Sequence, residues 1–102
     1  MVKSGTDKVE NIRKIAYQGL IDTVIAACTF ASEGKLEQLK KVKETTNVNL
    51  NDGDYDRRTP LHVSCGAGKE DVVRYLVEEM NVNVNPIDRW GATPLNDCSA
   101  WP

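Results

Sequence analysis

A 34-residue period constrains this chain more than any other feature. Asn47-Val48-Asn49-Leu50-Asn51 returns as Asn81-Val82-Asn83-Val84-Asn85, Asp54 returns as Asp88, and Thr59-Pro60-Leu61 returns as Thr93-Pro94-Leu95. Gly34-Lys35 anticipates Gly68-Lys69 by the same step. Unrelated residue types that agree on one spacing mark tandem copies of a supersecondary unit, and one such unit cannot bury its apolar face without neighbours.

The stretch from Asp54 to Val77 shows what the unit is. Asp54 to Arg58 is short, polar and charged, as a tight turn requires. Thr59-Pro60 then starts a helix, because the threonine hydroxyl accepts from a free backbone N–H and proline at the first helical position has no N–H to waste. Leu61 to Cys65 supplies a short helix, Gly66-Ala67-Gly68 breaks it, and Glu70-Asp71 places carboxylates on the positive end of the next. Val72, Val73, Leu76 and Val77 recur at helical spacing and predict one apolar face.

A period near 33 around a Thr-Pro-Leu-His core resembles the ankyrin repeat, from about Ile21 to Leu95. The resemblance implies an all-α ankyrin-repeat solenoid of helix-turn-helix units joined by turn ribbons, with about two repeats plus a partial third. The expected boundaries are a leader and capping helix over 1–20, a degenerate repeat over 21–53, a full repeat over 54–87 and a truncated one over 88–102. By the repeat register Asn96 matches His62 and Cys98 matches Ser64, while the second helix of the last repeat is missing. Its absence predicts a partly wet strip of Val72, Val73, Leu76 and Val77, and a chain that is marginally stable or self-associates through that end.

Upstream, Val9, Ile12, Ala16, Leu20 and Val24 step by three or four, predicting a helix capped by Thr6 or Asp7, bent or broken near Gly19, that shields the first repeat. In the degenerate repeat, Ala26, Ala27 and Ala31 are small enough for close helix approach. Leu36, Leu39 and Val42 form a buried face, with Glu37, Lys40, Lys41 and Lys43 in water. The valines of the Asn-Val alternation are expected to turn inward.

Charge and composition exclude other roles. A net charge of -2 offers no basic stripe, so nucleic acid is not an expected partner. No run reads as a signal peptide or approaches a membrane span, so no membrane is expected. Three cysteines, Cys28, Cys65 and Cys98, fall in predicted helices at near-repeat spacing, which suits buried thiols in a reducing, intracellular and cytoplasmic setting better than disulfides or zinc.

Candidate chemistry is sparse. His62 is the only histidine, so neither a His pair for metal nor a Ser/His nucleophile can be assembled, and in this sequence context its ring is expected to bond the turn and the adjacent repeat. Ser32 and Lys35 fit the S-x-x-K nucleophile spacing, but Gly34 lies in an inter-helix turn instead of a cleft. Asp52, Asp54 and Asp56 alternate in a turn without the glutamate a calcium loop needs. No catalytic residue, cofactor or metal is expected.

Surface remains. In the ankyrin resemblance, partners meet ribbon tips and the concave face of the first helices. The matching candidates are Tyr55, Asp56, Arg58, Arg89 and Trp90, residue types that dominate interface energetics where they are aromatic or arginine. Arg57 stands where the family has glycine in a turn that favours positive φ. Asp54, Tyr55, Asp56, Arg58, Thr59, Leu61, His62 and Val63, followed by Pro86, Asp88, Arg89, Trp90, Thr93 and Pro94, resemble the C-terminal ankyrin segment of glutaminases. The ankyrin segments of eukaryotic asparaginases and plant Raf-like kinases are similar. The glutaminase resemblance implies a parent that hydrolyses glutamine with a serine in a separate upstream domain, and a mitochondrial setting if the chain derives from it. The partner is then another protein, the parent's own catalytic domain, or a second copy.

Overall fold

The computed structural model describes residues 5–98, which form five helices and no β-strand. α1 runs over Gly5–Glu33, α2 over Leu36–Thr46, α3 over Pro60–Gly66 and α5 over Pro94–Asp97. α4, Glu70–Arg74, continues as a π-helical turn over Tyr75–Glu79. α1 packs on α2 and α3, and α3 packs on α4 and α5, which is the side-by-side stacking of an all-α solenoid. The expected polar opening of the chain and its stop at Pro102 involve residues 1–4 and 99–102, which lie outside the described residues.

The period is written into the backbone as well as the sequence. Left-handed residues occur in pairs 34 apart: Gly34 and Gly68 (φ 71° and 69°), Asn47 and Asn81 (53° and 54°), Arg57 and Gly91 (61° and 81°). Glycine and asparagine tolerate this region because they lack, or can locally compensate, the clash of a Cβ with the backbone. Arg57 has neither device, so the turn holds it there under strain. Gly53 pins the same turn: a Cβ on it would lie 2.5 Å from the Arg57 carbonyl carbon.

The short helix α3 needs its cap. Thr59 is extended, Pro60 follows at the first helical position, and the His62 N–H donates to the Thr59 hydroxyl at 3.3 Å. In the last repeat the Thr93 N–H donates to Asn96 Oδ1 at 2.9 Å, so asparagine does there what histidine does at position 62.

One seam of aliphatic side chains holds the stack. Val24, Ala27 and Ala31 of α1 join Leu39, Leu61, Cys65, Val72 and Leu76 in a single buried cluster, with Val48, Leu50 and Val82 inserted from the ribbons. Each fully buried Leu or Val contributes about 1.5–3 kcal/mol. The Asn-Val alternation does turn inward at Val48, Leu50 and Val82, whereas Val84 is exposed because no described helix covers it. The asparagines hold the ribbons instead: Asn51 Oδ1 accepts from the Asn83 N–H at 2.7 Å across the repeats.

Several expectations need correction. α1 is one unbroken helix through Gly19, because glycine keeps its backbone hydrogen bonds and costs a helix interior only about 1 kcal/mol. It already includes Thr6 and Asp7, which therefore lie within the helix. Residues 9–20 of it are exposed throughout, Val9, Ile12 and Leu20 among them, so this stretch does not shield the first repeat. The view that no run approaches a membrane span also fails, since Val9–Ser32 is long and apolar enough by length and composition. Part of that run is apolar for another reason: Ile21, Val24, Ala27, Cys28 and Ala31 face the repeat core. Ala26 is only half-buried, on the other side of the helix.

In α2, Leu39 is buried and Leu36 and Val42 pack beside it. Two of its lysines are not merely hydrated, however. Lys43 Nζ donates to the Val48 carbonyl at 2.9 Å, and Lys40 Nζ stands 5.4 Å from the centre of the Tyr75 ring. In the expected wet strip, Val72 and Leu76 are fully buried, and only Val73 and Val77 are half-exposed.

Candidate functional site

Each ribbon tip is bracketed by an aspartate. Asp54 Oδ1 accepts from the N–H groups of Asp56 at 2.8 Å and Arg58 at 3.1 Å, and the Asp54 N–H donates to the Arg58 carbonyl. Asp88 repeats this with Trp90 and Ala92, both at 2.9 Å. A carboxylate that closes a turn on its own backbone leaves the intervening side chains fixed at the apex. Those apex residues are Tyr55 and Asp56 in one tip and Arg89 and Trp90 in the next.

The tips are also joined to each other. The Arg89 N–H donates to the Asp56 carbonyl at 2.8 Å, and Arg89 Nη1 lies 3.1 Å from Asp56 Oδ1. The same guanidinium sits 5.8 Å from the Trp90 ring centre, a cation–π distance. Tyr55 and Trp90 themselves stay 62% and 68% exposed. Exposed aromatics on a braced surface keep little conformational freedom. Ile87, also exposed, adds an apolar neighbour in the last ribbon that the repeat pattern did not single out.

Arg58, grouped with these residues by sequence, serves a different purpose. Its Nη1 donates to Asp88 Oδ2 at 2.8 Å and its Nη2 to Asp97 Oδ2 at 2.7 Å, inside the seam between repeats. Burial pushes the Arg58 pKa down, but the Asp97 and Asp88 carboxylates outweigh it and the net shift is upward. Asp88 is held below the usual carboxylate value, first by the N–H of Ala92, against the opposing effect of burial, and then by Trp90 and Arg58. Asp97 lies off the 34-residue register from Arg58, so no periodicity signalled this clamp.

His62 is fully buried and fully used. Nδ1 accepts from the Thr59 N–H at 3.1 Å, which leaves the proton on Nε2, where it donates to the Ala92 carbonyl at 2.8 Å. Ser32 Oγ is turned onto the Thr29 carbonyl at 2.9 Å, and Lys35 pairs with Glu33 at 3.3 Å. Neither forms a nucleophile–base pair. Asp54 and Asp56 are committed to the turn and to Arg89. The described residues thus offer shape and charge at the tips, and no arrangement for acid–base or nucleophilic chemistry.

Residues 24–101 match the family model of ankyrin repeats in three copies, and the chain belongs to that family. Over 75 residues, 74% of its length, it is 39% identical to the mitochondrial glutaminase liver isoform of Rattus norvegicus. It is 38% identical over 77 residues to serine/threonine-protein kinase 12 of Arabidopsis thaliana, and 40% identical over 70 residues to the potassium channel SKOR of that plant. The chain spans only 12%, 16% and 8% of these relatives, respectively. Among solved structures, a chain in the complex of a Bdellovibrio bacteriovorus predatory endopeptidase with immunity protein Bd3460 is similar over 72% of this chain and 37% of that one. Its TM-score is 0.67 at 27% identity.

Proposed function

We propose that the chain is a protein-recognition module that meets its partner with the ribbon tips and the adjoining concave face of the first helices, and performs no chemistry of its own. The observation that carries this is the braced pair of tips: Asp56 and Arg89 lock one to the next while Tyr55 and Trp90 remain in water. Rigid exposed aromatics beside an arginine form the usual centre of an interface, because they bury much area with few rotatable bonds. Arg58 and Asp88 contribute by holding the tips in register, while Tyr55, Asp56, Arg89 and Trp90 make the contacts. The test compares partners captured by the intact chain with those captured by Tyr55→Ala and Trp90→Ala. Equal capture by all three would remove the tip surface as the binding site.

A second reading has support of its own in the glutaminase relative, 39% identical over three quarters of this chain. In it the same surface packs on the catalytic domain of a glutaminase-like amidohydrolase, or on a twin, and regulates or assembles that enzyme. Titrating a separately produced glutaminase catalytic domain with this chain distinguishes the two readings. Saturable binding that Trp90→Ala weakens favours the second, and its absence favours an unrelated partner.

A further inference from the structure

α3 and α5, the short first helices of neighbouring repeats, pack directly on one another. Cys65 lies in the last turn of α3, and Cys98 follows α5 as its C-cap. The two are 33 residues apart, one short of the period, so Cys98 stands in the register of Ser64 and the pair copies no earlier one. Stacking nevertheless brings them together: both line one apolar pocket, and their two thiols hydrogen-bond to each other. The approach is held on both sides. Gly66 leaves room beside Cys65, since a Cβ there would stand 3.6 Å from Asp97 Cβ, and Asp97, next to Cys98, is gripped by Arg58 Nη2 at 2.7 Å. Cys28 has a different partner, the Arg58 carbonyl at 3.5 Å.

We propose that Cys65 and Cys98 are a reversible oxidation site, at which a hydroperoxide converts the two thiols into a disulfide that ties α5 to α3 and a dithiol reductant reopens it. Cys98, partly open to water, meets the oxidant, and the buried Cys65 resolves it. In the first step the Cys98 thiolate attacks one peroxide oxygen: an S–O bond forms, the O–O bond breaks, and the departing alkoxide or hydroxide takes up the proton that the Cys98 thiol released. In the second the Cys65 sulfur attacks the sulfenic sulfur: the S–S bond forms, the S–O bond breaks, and hydroxide leaves with the Cys65 proton as water. The thiols lose two electrons and the peroxide gains them. Burial first, and then Cys98, pushes the Cys65 pKa up to about 12, so oxidation of Cys98 removes part of what holds the Cys65 proton. The site does not depend on the tip surface or on the identity of a partner.

The test treats the reduced full chain with hydrogen peroxide and caps the remaining thiols. Trypsin then separates the three cysteines onto peptides 15–35, 59–69 and 90–102. The expected product links 59–69 to 90–102 within one chain, and dithiothreitol releases it. The oxidised chain should melt at least about 5 °C above the reduced one, because the closed loop restricts the unfolded state. Cys98→Ser should keep the melt of the reduced chain, since serine already stands at the matching position 64, while abolishing both the link and the peroxide-induced shift. Cys28→Ala should leave the link intact. Four results would overturn the proposal: Cys98 recovered as sulfinic acid without a link, Cys98 joined to Cys28 or to a second chain, the same mixture of pairings from native and urea-unfolded chain, or a link that leaves the melting temperature unchanged.

Discussion

Cys28 donates its thiol to the Arg58 carbonyl at 3.5 Å in the same place where, one repeat later, the His62 ring donates to the Ala92 carbonyl at 2.8 Å. Both donors and both carbonyls are 34 residues apart. The degenerate first repeat thus keeps the cross-repeat hydrogen bond with a weaker donor, and the two seams differ in how much that bond stabilises them.

His62→Phe should therefore destabilise the chain far more than Cys28→Ala. The phenylalanine keeps the volume but leaves the buried Thr59 N–H without its acceptor and removes one donor from Ala92, for a loss of about 2–3 kcal/mol. Cys28→Ala removes a weak thiol bond and a small volume, for about 1 kcal/mol. Urea unfolding midpoints of the two variants give the comparison, and equal shifts would remove the difference between seams.

Arg57→Gly should stabilise the fold by up to about 1 kcal/mol, since it relieves a left-handed conformation at φ 61°. Gly53→Ala should do the opposite, by about 2 kcal/mol, because its Cβ would meet the Arg57 backbone. Thermal melts of both variants check the signs.

Acid should loosen the seam between repeats. The Asp88 carboxyl is held below its ordinary value of 3.8, chiefly by the Ala92 N–H and against burial, so the unfolded chain binds its proton more readily than the native one. Its stabilisation is complete above the unfolded value and is lost as the pH falls through that value toward the lower native one. Denaturant midpoints measured from about pH 5 down to about pH 3 should fall, and Asp88→Asn should flatten that dependence.

The three thiols should react in a fixed order. Burial, then Asp54, pushes Cys28 up to about 12, and burial, then its neighbours Cys98 and Asp97, pushes Cys65 up to about 12. Both are buried, whereas Cys98 is partly open to water. A thiol reagent near neutral pH should modify Cys98 first and reach the other two only on unfolding. Peptide mapping of partly labelled chain provides the check, and early label on Cys28 would contradict it.

Trp90→Ala should separate binding from folding. The ring is 68% exposed, so its removal should change stability by no more than about 0.5 kcal/mol. Loss of partner capture at unchanged unfolding midpoint is the expected result. A large stability loss would instead make Trp90 a packing residue.

Part of the geometry of the candidate tip surface was legible in the sequence. Tyr55, Asp56, Arg89 and Trp90 fall at apex positions because the Asp54 and Asp88 brackets recur in register, and a bracket of that kind acts within five residues. Arg58 sits in the same turn, but its partner Asp97 is 39 residues away and off the period. Local pattern therefore placed Arg58 at the tip, whereas long-range charge pairing drew it into the seam. The apolar face of the α4 segment was half legible: spacing gave Val72, Val73, Leu76 and Val77 together, but only packing showed Val72 and Leu76 buried and Val73 and Val77 half-exposed.

By itself the sequence determined the repeat unit, its period, the capped start of α3 and the inward turn of Val48 and Leu50, because each follows from interactions a few residues apart and the period multiplies them. Tertiary structure alone decided that α1 runs through Gly19 with residues 9–20 exposed, that Arg58 joins Asp88 to Asp97, and that Val72 and Leu76 are buried while Val73 and Val77 are only half-buried. Those outcomes depend on which surfaces have a neighbour, and in a one-dimensional stack a surface is buried only if the adjacent unit is there to cover it.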